Sequence, residues 1–210
     1  MRGGAERLGE YTYRWDETCF PLGPDSLALG EFCTLKKGDR VLDLGCGAGL
    51  LLLLCKRREP SVSLYGVEIE PQAARLAREN LAENGLAGEI ATADLGAAEL
   101  PPAELVVSNP PWYDQRSGKE GGPGRMESCT ISQLCAAAGR ALAHRGRFAF
   151  VHDPKRLAEL MTALRGEGLE PKRLQFCRHS PEKEPYAVLV EAVKGGRPGL
   201  AVLPDRIGNT

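Results

Sequence analysis

Short apolar runs alternate with longer amphipathic stretches along this chain. Val41-Leu42-Asp43-Leu44, residues 63–68, residues 89–93, Leu105-Val106-Val107 and residues 147–151 are such runs, each near Gly, Pro, Asn or Asp. They are too short for helices and read as buried strands. Between them stand stretches with helical spacing. Residues 26–33 follow a turn rich in Gly and Pro, with Asp25 as N-cap and Leu27, Ala28 and Phe32 on one face. A Leu-rich helix is expected over 50–58. The next helix places Ala73, Leu76, Ala77, Asn80 and Leu81 on one side and stops at Asn84-Gly85. Helices over 131–143 and 154–166 complete the set.

Residues 11–15 alternate aromatic and polar side chains, as a short strand does. Residues 172–177 and 187–193 read as consecutive strands with no helix between them, so they pair antiparallel at the sheet edge. This alternation predicts an α/β fold: a doubly wound sheet of seven strands, mostly parallel with an antiparallel edge strand. One domain is expected over residues 1–210, with an N-terminal strand and helix appendage over 1–38, a core over 39–194 and a tail rich in Gly and Pro over 195–210.

Composition narrows the class. Apolar residues make up 42% and charged residues 26%, ordinary globular usage. The seven cysteines are scattered without a C-x-x-C pair and the three histidines are isolated, so no metal site is expected and a reducing, cytoplasmic setting is favoured. No signal peptide is expected at the polar N-terminus, and no apolar run is long enough to cross a bilayer. The net charge of −1 excludes a globally basic nucleic-acid binder. Charge is uneven, however: residues 141–210 carry twelve Lys/Arg against eight Asp/Glu, a balance that suits phosphate. Lys155, Arg156, Lys172, Arg173 and Arg178 are candidates for a phosphate track, with Lys172 and Arg173 assigned to substrate. The chain is expected to act as a monomer.

The loops carry the chemistry. After the first core strand comes Asp43-Leu44-Gly45-Cys46-Gly47-Ala48-Gly49, with glycines where backbone must approach a ligand closely. A dinucleotide fingerprint leaves two residues before its last glycine; the tighter spacing here, with a carboxylate just upstream, disfavours phosphate and suits an ammonium or sulfonium. Glu68, with Ile69 beside it, ends the next strand, where an acid can take ribose hydroxyls. Asp94 ends the third, where it can accept from an adenine amino group. Asp43, Gly45, Gly47, Gly49, Glu68, Ile69 and Asp94 thus read as a site for S-adenosylmethionine, the alternative being a plain dinucleotide site.

The fourth core strand runs into Ser108-Asn109-Pro110-Pro111-Trp112-Tyr113. Neither proline has an N–H to give to a sheet or a helix, so the turn is stiff and its carbonyls are free to accept. The Asn109 side-chain oxygen and the Pro110 carbonyl suit the two N–H bonds of an amino group, and Trp112 or Tyr113 suits the face of a base. The alternative is an ordinary turn with a packing Trp. The apolar-free stretch 116–124 reads as a mobile loop beside it. His152 is read as a structural residue of a turn, and Cys46 as a small filler.

With these residues in place the chain resembles the Rossmann-like class I S-adenosylmethionine-dependent methyltransferases of the Asn-Pro-Pro-aromatic type. Glu6-Arg7-Leu8, the segment 20–25, Val151-His152-Asp153-Pro154, Glu170-Pro171-Lys172-Arg173-Leu174 and Val188-Leu189-Val190-Glu191-Ala192 run in the order seen in bacterial N6-adenine methyltransferases similar to the valine-tRNA enzyme. The resemblance implies that Asn109, Pro110, Pro111 and Trp112 are catalytic and that Asp25 and its loop close over the cofactor, with Asn109 also reaching it. It implies that Arg125 and Glu127 follow the motif on the substrate side, and that RNA, tRNA before others, is the substrate. Two departures stand out: Trp112 where Tyr or Phe is commoner, and Met126 where relatives carry His. Glutamine N5-methylation of protein, or cofactor or RNA binding without catalysis, are the alternatives.

Overall fold

The computed structural model describes residues 3–111 and 130–208. Trp112, Tyr113, Arg125, Met126, Glu127 and the loop 116–124 lie outside the described residues. The elements in order are β1 (Gly4–Leu8), β2 (Tyr11–Trp15), α1 (Pro24–Phe32), β3 (Arg40–Leu44), α2 (Leu50–Arg58), β4 (Ser63–Glu68), α3 (Pro71–Glu83), β5 (Glu89–Thr92), β6 (Ala103–Ser108), α4 (Ile131–Ala141), β7 (Leu142–His152), α5 (Leu157–Gly166), β8 (Leu169–Arg178), β9 (Ala187–Lys194), β10 (Ala201–Val202) and β11 (Arg206–Ile207).

The main sheet has the order β10-β8-β9-β7-β6-β3-β4-β5, with β11 also on β8. The pairs β3–β4, β3–β6, β4–β5 and β6–β7 are parallel, whereas β9 runs antiparallel to both β7 and β8. Seven strands therefore form the body of the sheet. The antiparallel strand, β9, stands one place in from β8, because the tight connection 179–186 sends it back between β7 and β8. The tail is more ordered than its Gly and Pro content predicts: β10 and β11 add in parallel to β8, with Leu203 N–H donating to the Leu174 carbonyl. They cover an edge otherwise left with unpaired backbone groups.

Both faces of the sheet are apolar, which is why its central strands read as nearly continuous hydrophobic runs. Leu105 and Val107 join α1, α2, α3 and the β1–β2 hairpin on one face. Val106, Phe148 and Phe150 join α4 and α5 on the other, the two Phe rings stacked at 4.7 Å. Leu50 to Cys55 of α2 are all buried, and Lys56, Arg57 and Arg58 end that helix where its dipole favours cations. Arg58 donates to the Gly30 and Cys33 carbonyls at the end of α1. At the α1–α2 crossing a Cβ on Gly30 would stand 3.0 Å from Leu54 Cβ, so any larger residue there would push Leu54 aside.

Several boundaries differ from expectation: α4 ends at Ala141 and β7 starts at once at Leu142, α5 starts at Leu157, and β8 starts at Leu169. Helix α1 starts at Pro24 with Gly23 as N-cap, because proline's fixed φ suits the first helical position. Asp25 lies inside the first turn and does not cap. The hairpin strand β1 carries only one fully buried apolar residue, Leu8, and leaves no period to read. Its partner β2 is held on its other side by two asparagines of α3. Asn80 takes the Arg14 N–H and gives to the Arg14 carbonyl, and Asn84 does the same for Thr12.

Candidate active site

The parallel register sets the site out in rows. Asp43 pairs with Gly66 on β4 and Val107 on β6, in the middle of the sheet near its C-terminal edge. One pleat further on stand Glu68, ending β4 and paired with Thr92, and Asn109, just past the end of β6. Asp94 follows β5 at the same edge. This edge, where the strand order reverses between β3 and β6, is where ligands of open α/β sheets lie.

Asp43 is 1% exposed, and its Oδ1 is buried without a hydrogen-bond partner among the described residues. Burial first, and then the charge of Glu68, push its carboxyl well above the ordinary carboxylate range. The glycine loop wraps over the end of β4: Gly45 and Cys46 N–H groups donate to the Val67 carbonyl, and Gly47 N–H donates to Glu68 Oε2 at 2.8 Å. Gly45 and Gly47 hold φ of +75° and +52°, and no described protein atom lies within 4 Å of where a Cβ would stand on either. Their backbone is strained for any other residue and open to close approach. Gly49, at φ 83°, starts α2 with no side-chain cap.

Glu68 accepts Gly47 N–H on one oxygen and Glu70 N–H on the other at 2.9 Å, leaving each oxygen a further lone pair. Asp94 is exposed and closes a turn, its Oδ1 taking the Gly96 N–H at 2.7 Å. Ile69 is an exposed large apolar side chain beside Glu68. Cys46 is buried, its thiol pushed well up by burial and by Asp43 and Glu68, which fits a filler and not a nucleophile.

Asn109 is half-buried, and its Nδ2 donates to Ser26 Oγ in the first turn of α1 at 3.0 Å. Among the described residues no donor is bonded to Asn109 Oδ1 or to the Pro110 carbonyl. Ser108 Oγ donates to the Leu44 carbonyl at 2.7 Å, fastening the end of β6 to the start of the glycine loop. Asp25 is next to Ser26; burial raises its carboxyl, opposed by His179. His152, 2% exposed, accepts the Asp153 N–H on Nδ1 at 2.8 Å, and burial, then Arg156, lowers it to about 4. It is a neutral imidazole that holds a turn.

Lys172 and Arg173, expected on the substrate side, are engaged by other parts of the fold. Arg173 Nη1 donates to the Phe32 carbonyl, Thr34 Oγ1 and Glu191 Oε1, and the guanidinium lies 4.5 Å from the centroid of the Phe32 ring. Lys172 Nζ donates to the Arg197 carbonyl in the tail. A sequence shows a charge and not whether the fold already satisfies it. Ser26 was the reverse case: it read only as a helix residue, and its place next to Asp25 was the one signal it carried. Among the described residues no group of three or more His, Cys, Asp or Glu is placed to hold a metal, and no helix is long and apolar enough to cross a membrane.

A mostly parallel sheet with one inserted antiparallel strand, a glycine loop after β3 and acids ending successive strands is the fold of the class I methyltransferases. The chain belongs to the methyltransferase small domain family, whose model it matches over residues 26–167. It is 33% identical over 119 residues to a tRNA1(Val) (adenine(37)-N6)-methyltransferase of Yersinia enterocolitica, a match covering 54% of this chain and 47% of that protein. The matched part thus spans about half the length of that relative. The Parabacteroides distasonis protein of the same name is 26% identical over 191 residues, covering 87% of this chain and 80% of its own length. Among solved structures, a predicted O-methyltransferase from Agrobacterium tumefaciens superposes with a TM-score of 0.72 at 21% identity, covering 87% of this chain and 86% of that one. At that identity the likeness is one of fold.

Proposed function

We propose that this protein transfers a methyl group from S-adenosylmethionine to N6 of an adenine in tRNA, in the cytoplasm. The observation that carries the reading is Asn109, whose amide nitrogen is spent on Ser26 while its oxygen is left to accept, one pleat beyond the buried carboxylate of Asp43. An aromatic amine is a poor nucleophile because its lone pair is delocalised into the ring. Asn109 Oδ1 and the Pro110 carbonyl accept its two N–H bonds, draw the nitrogen toward tetrahedral geometry and face its lone pair to the methyl group. Trp112 and Tyr113 supply aromatic faces for the base, each stack worth ~1–3 kcal/mol. The names of the relatives support adenine in tRNA as the acceptor.

The donor side fits the cofactor on the chemistry of its groups. Bound S-adenosylmethionine would supply a sulfonium-activated methyl: the C–S bond would break as the N–C bond forms, the sulfur would leave as a neutral thioether, and the methylated nitrogen would lose one proton to solvent. Asp43, whose buried oxygen lacks a donor among the described residues, takes the cationic amino-acid end together with Gly45, Gly47 and Gly49. Glu68 takes the ribose hydroxyls, Asp94 the adenine amino group, and Ile69 packs on the ring; Asp25 closes over from α1. No strong acid or base is required, since orientation in such a site can supply ~7–11 kcal/mol of the barrier. The base must be unpaired or flipped to reach the shelf.

The test is labelled methyl transfer to total tRNA, rRNA and protein in parallel, with nucleoside mass spectrometry. N6-methyladenosine in the tRNA fraction is expected, and label in protein glutamine instead would overturn the acceptor assignment. Asn109→Ala should abolish transfer while cofactor affinity stays within about twofold of wild type, a difference of ~0.4 kcal/mol; surviving activity would sink the shelf mechanism.

A further inference from the structure

A side-chain amide is nearly symmetric in shape and opposite in chemistry at its two ends, so Asn109 can present an acceptor or a donor to whatever lies on the shelf. Only one orientation works for an amino acceptor. Turned the other way, Asn109 would offer N–H to N–H, repelling the nitrogen and withdrawing one of its two hydrogen-bond acceptors. Nothing in Asn109 itself makes the choice. Its neighbours in sequence do not make it either: Pro110 and Pro111 have no N–H, and Ser108 Oγ is directed to the Leu44 carbonyl.

The partner that does contact the amide is Ser26 Oγ, 3.0 Å from Asn109 Nδ2 and eighty-three positions away in sequence. Ser26 is buried in the first turn of α1. A serine hydroxyl carries two lone pairs beside its own hydrogen, so it can accept from a neighbouring amide. We propose that Ser26 is a positioning residue: by accepting from Asn109 Nδ2 it fixes the amide with Oδ1 toward the methyl-accepting nitrogen. This rests on the reading of Asn109 as the amino-group acceptor.

The test uses an isosteric pair. Ser26→Thr keeps a hydroxyl and Ser26→Val replaces it by a methyl of the same bulk, so packing strain is common to both. Each is assayed on whichever fraction wild type labels, tRNA, rRNA or protein, with S-adenosylmethionine affinity measured by calorimetry. For Ser26→Val, kcat should fall roughly tenfold to a hundredfold, the scale of a misplaced reacting group. Its cofactor Kd should stay within about twofold of wild type, ~0.4 kcal/mol, and Ser26→Thr should recover most of kcat. Equal loss in Thr and Val variants, wild-type kcat in Ser26→Val, or a loss explained by cofactor affinity would each overturn the proposal. Failure of the underlying reading shows separately, as activity retained in Asn109→Ala.

Discussion

Holding a carboxylate in the middle of a sheet with no donor among the described residues for one of its oxygens is costly, and Asp43 does so between β4 and β6. Burial and Glu68 raise its pKa, so the folded chain favours the neutral acid. Its contribution to stability is therefore present at low pH and lost as pH rises through that raised value. Binding a cation beside it would reverse the preference, so in the proposed site affinity for the ammonium end of the cofactor is tied to deprotonation of Asp43. Asp43→Asn should accordingly melt higher than wild type at pH 7, by about 2–4 °C per kcal/mol recovered, with the gap closing as pH is lowered. The same variant should bind S-adenosylmethionine at least tenfold more weakly, ~1.4 kcal/mol. Scanning calorimetry and titration calorimetry on one preparation read both effects. A variant that melts lower than wild type with unchanged affinity would remove Asp43 from the pocket. This acid was legible from its place before a glycine loop. Ser26 was not, because a contact between residues so distant in sequence leaves no pattern in either segment.

At the scale of elements, the hairpin is attached by a device that periodicity only half reveals. Asn80 and Asn84 are one turn apart on α3, about 6 Å along the axis, and they meet alternate residues of β2, which lie about 6.7 Å apart. The match lets two side-chain amides act as the missing neighbouring strand. Asn80 Nδ2 also donates to the Ala48 carbonyl in the glycine loop at 2.8 Å, so one side chain links hairpin, helix and site. Helical spacing placed Asn80 on the buried face, but only the structure shows why a polar residue belongs there. Asn80→Ala strips partners from the Arg14 and Ala48 backbone groups, a loss of about 1–3 kcal/mol. Hydrogen exchange should quicken at the Arg14 and Thr12 amides while those of β6 and β7 keep their protection. Uniform acceleration across the sheet would mean that the clamp is part of the global fold and not a local anchor. The strands and helices of the core were readable because each buries a face and repeats its pattern. β1, β10 and β11 were not, being held by edge pairing that short polar segments accept from any neighbour.

The molecule as a whole separates the end of the sheet that carries chemistry from the end that holds it together. Asp43, Glu68, Asp94 and Asn109 gather where β3 to β6 finish; at the opposite end, Arg147 Nη2 meets Asp39 Oδ2 at 2.5 Å with both side chains 6% exposed or less. Asp39 precedes β3 and also accepts the Lys36 N–H, while Arg147 pairs in the sheet with Leu105 and Val193. The bridge thus fastens the turn before the first core strand to the strand that β6 and β9 flank. Such a pair adds little over a well-packed apolar contact, and among the described residues Arg147 Nε has no partner. Removing one member is different, because the other charge stays buried alone. Arg147→Met should lose about 3–5 kcal/mol of stability. Well below its transition temperature, kcat and cofactor Kd should match wild type, since the bridge lies at the opposite end of the sheet from Asp43, Glu68 and Asn109. Denaturant unfolding gives the first quantity and steady-state transfer at low temperature the second. If kcat fell in step with stability, the two ends of the sheet would be coupled and the division between them would be wrong.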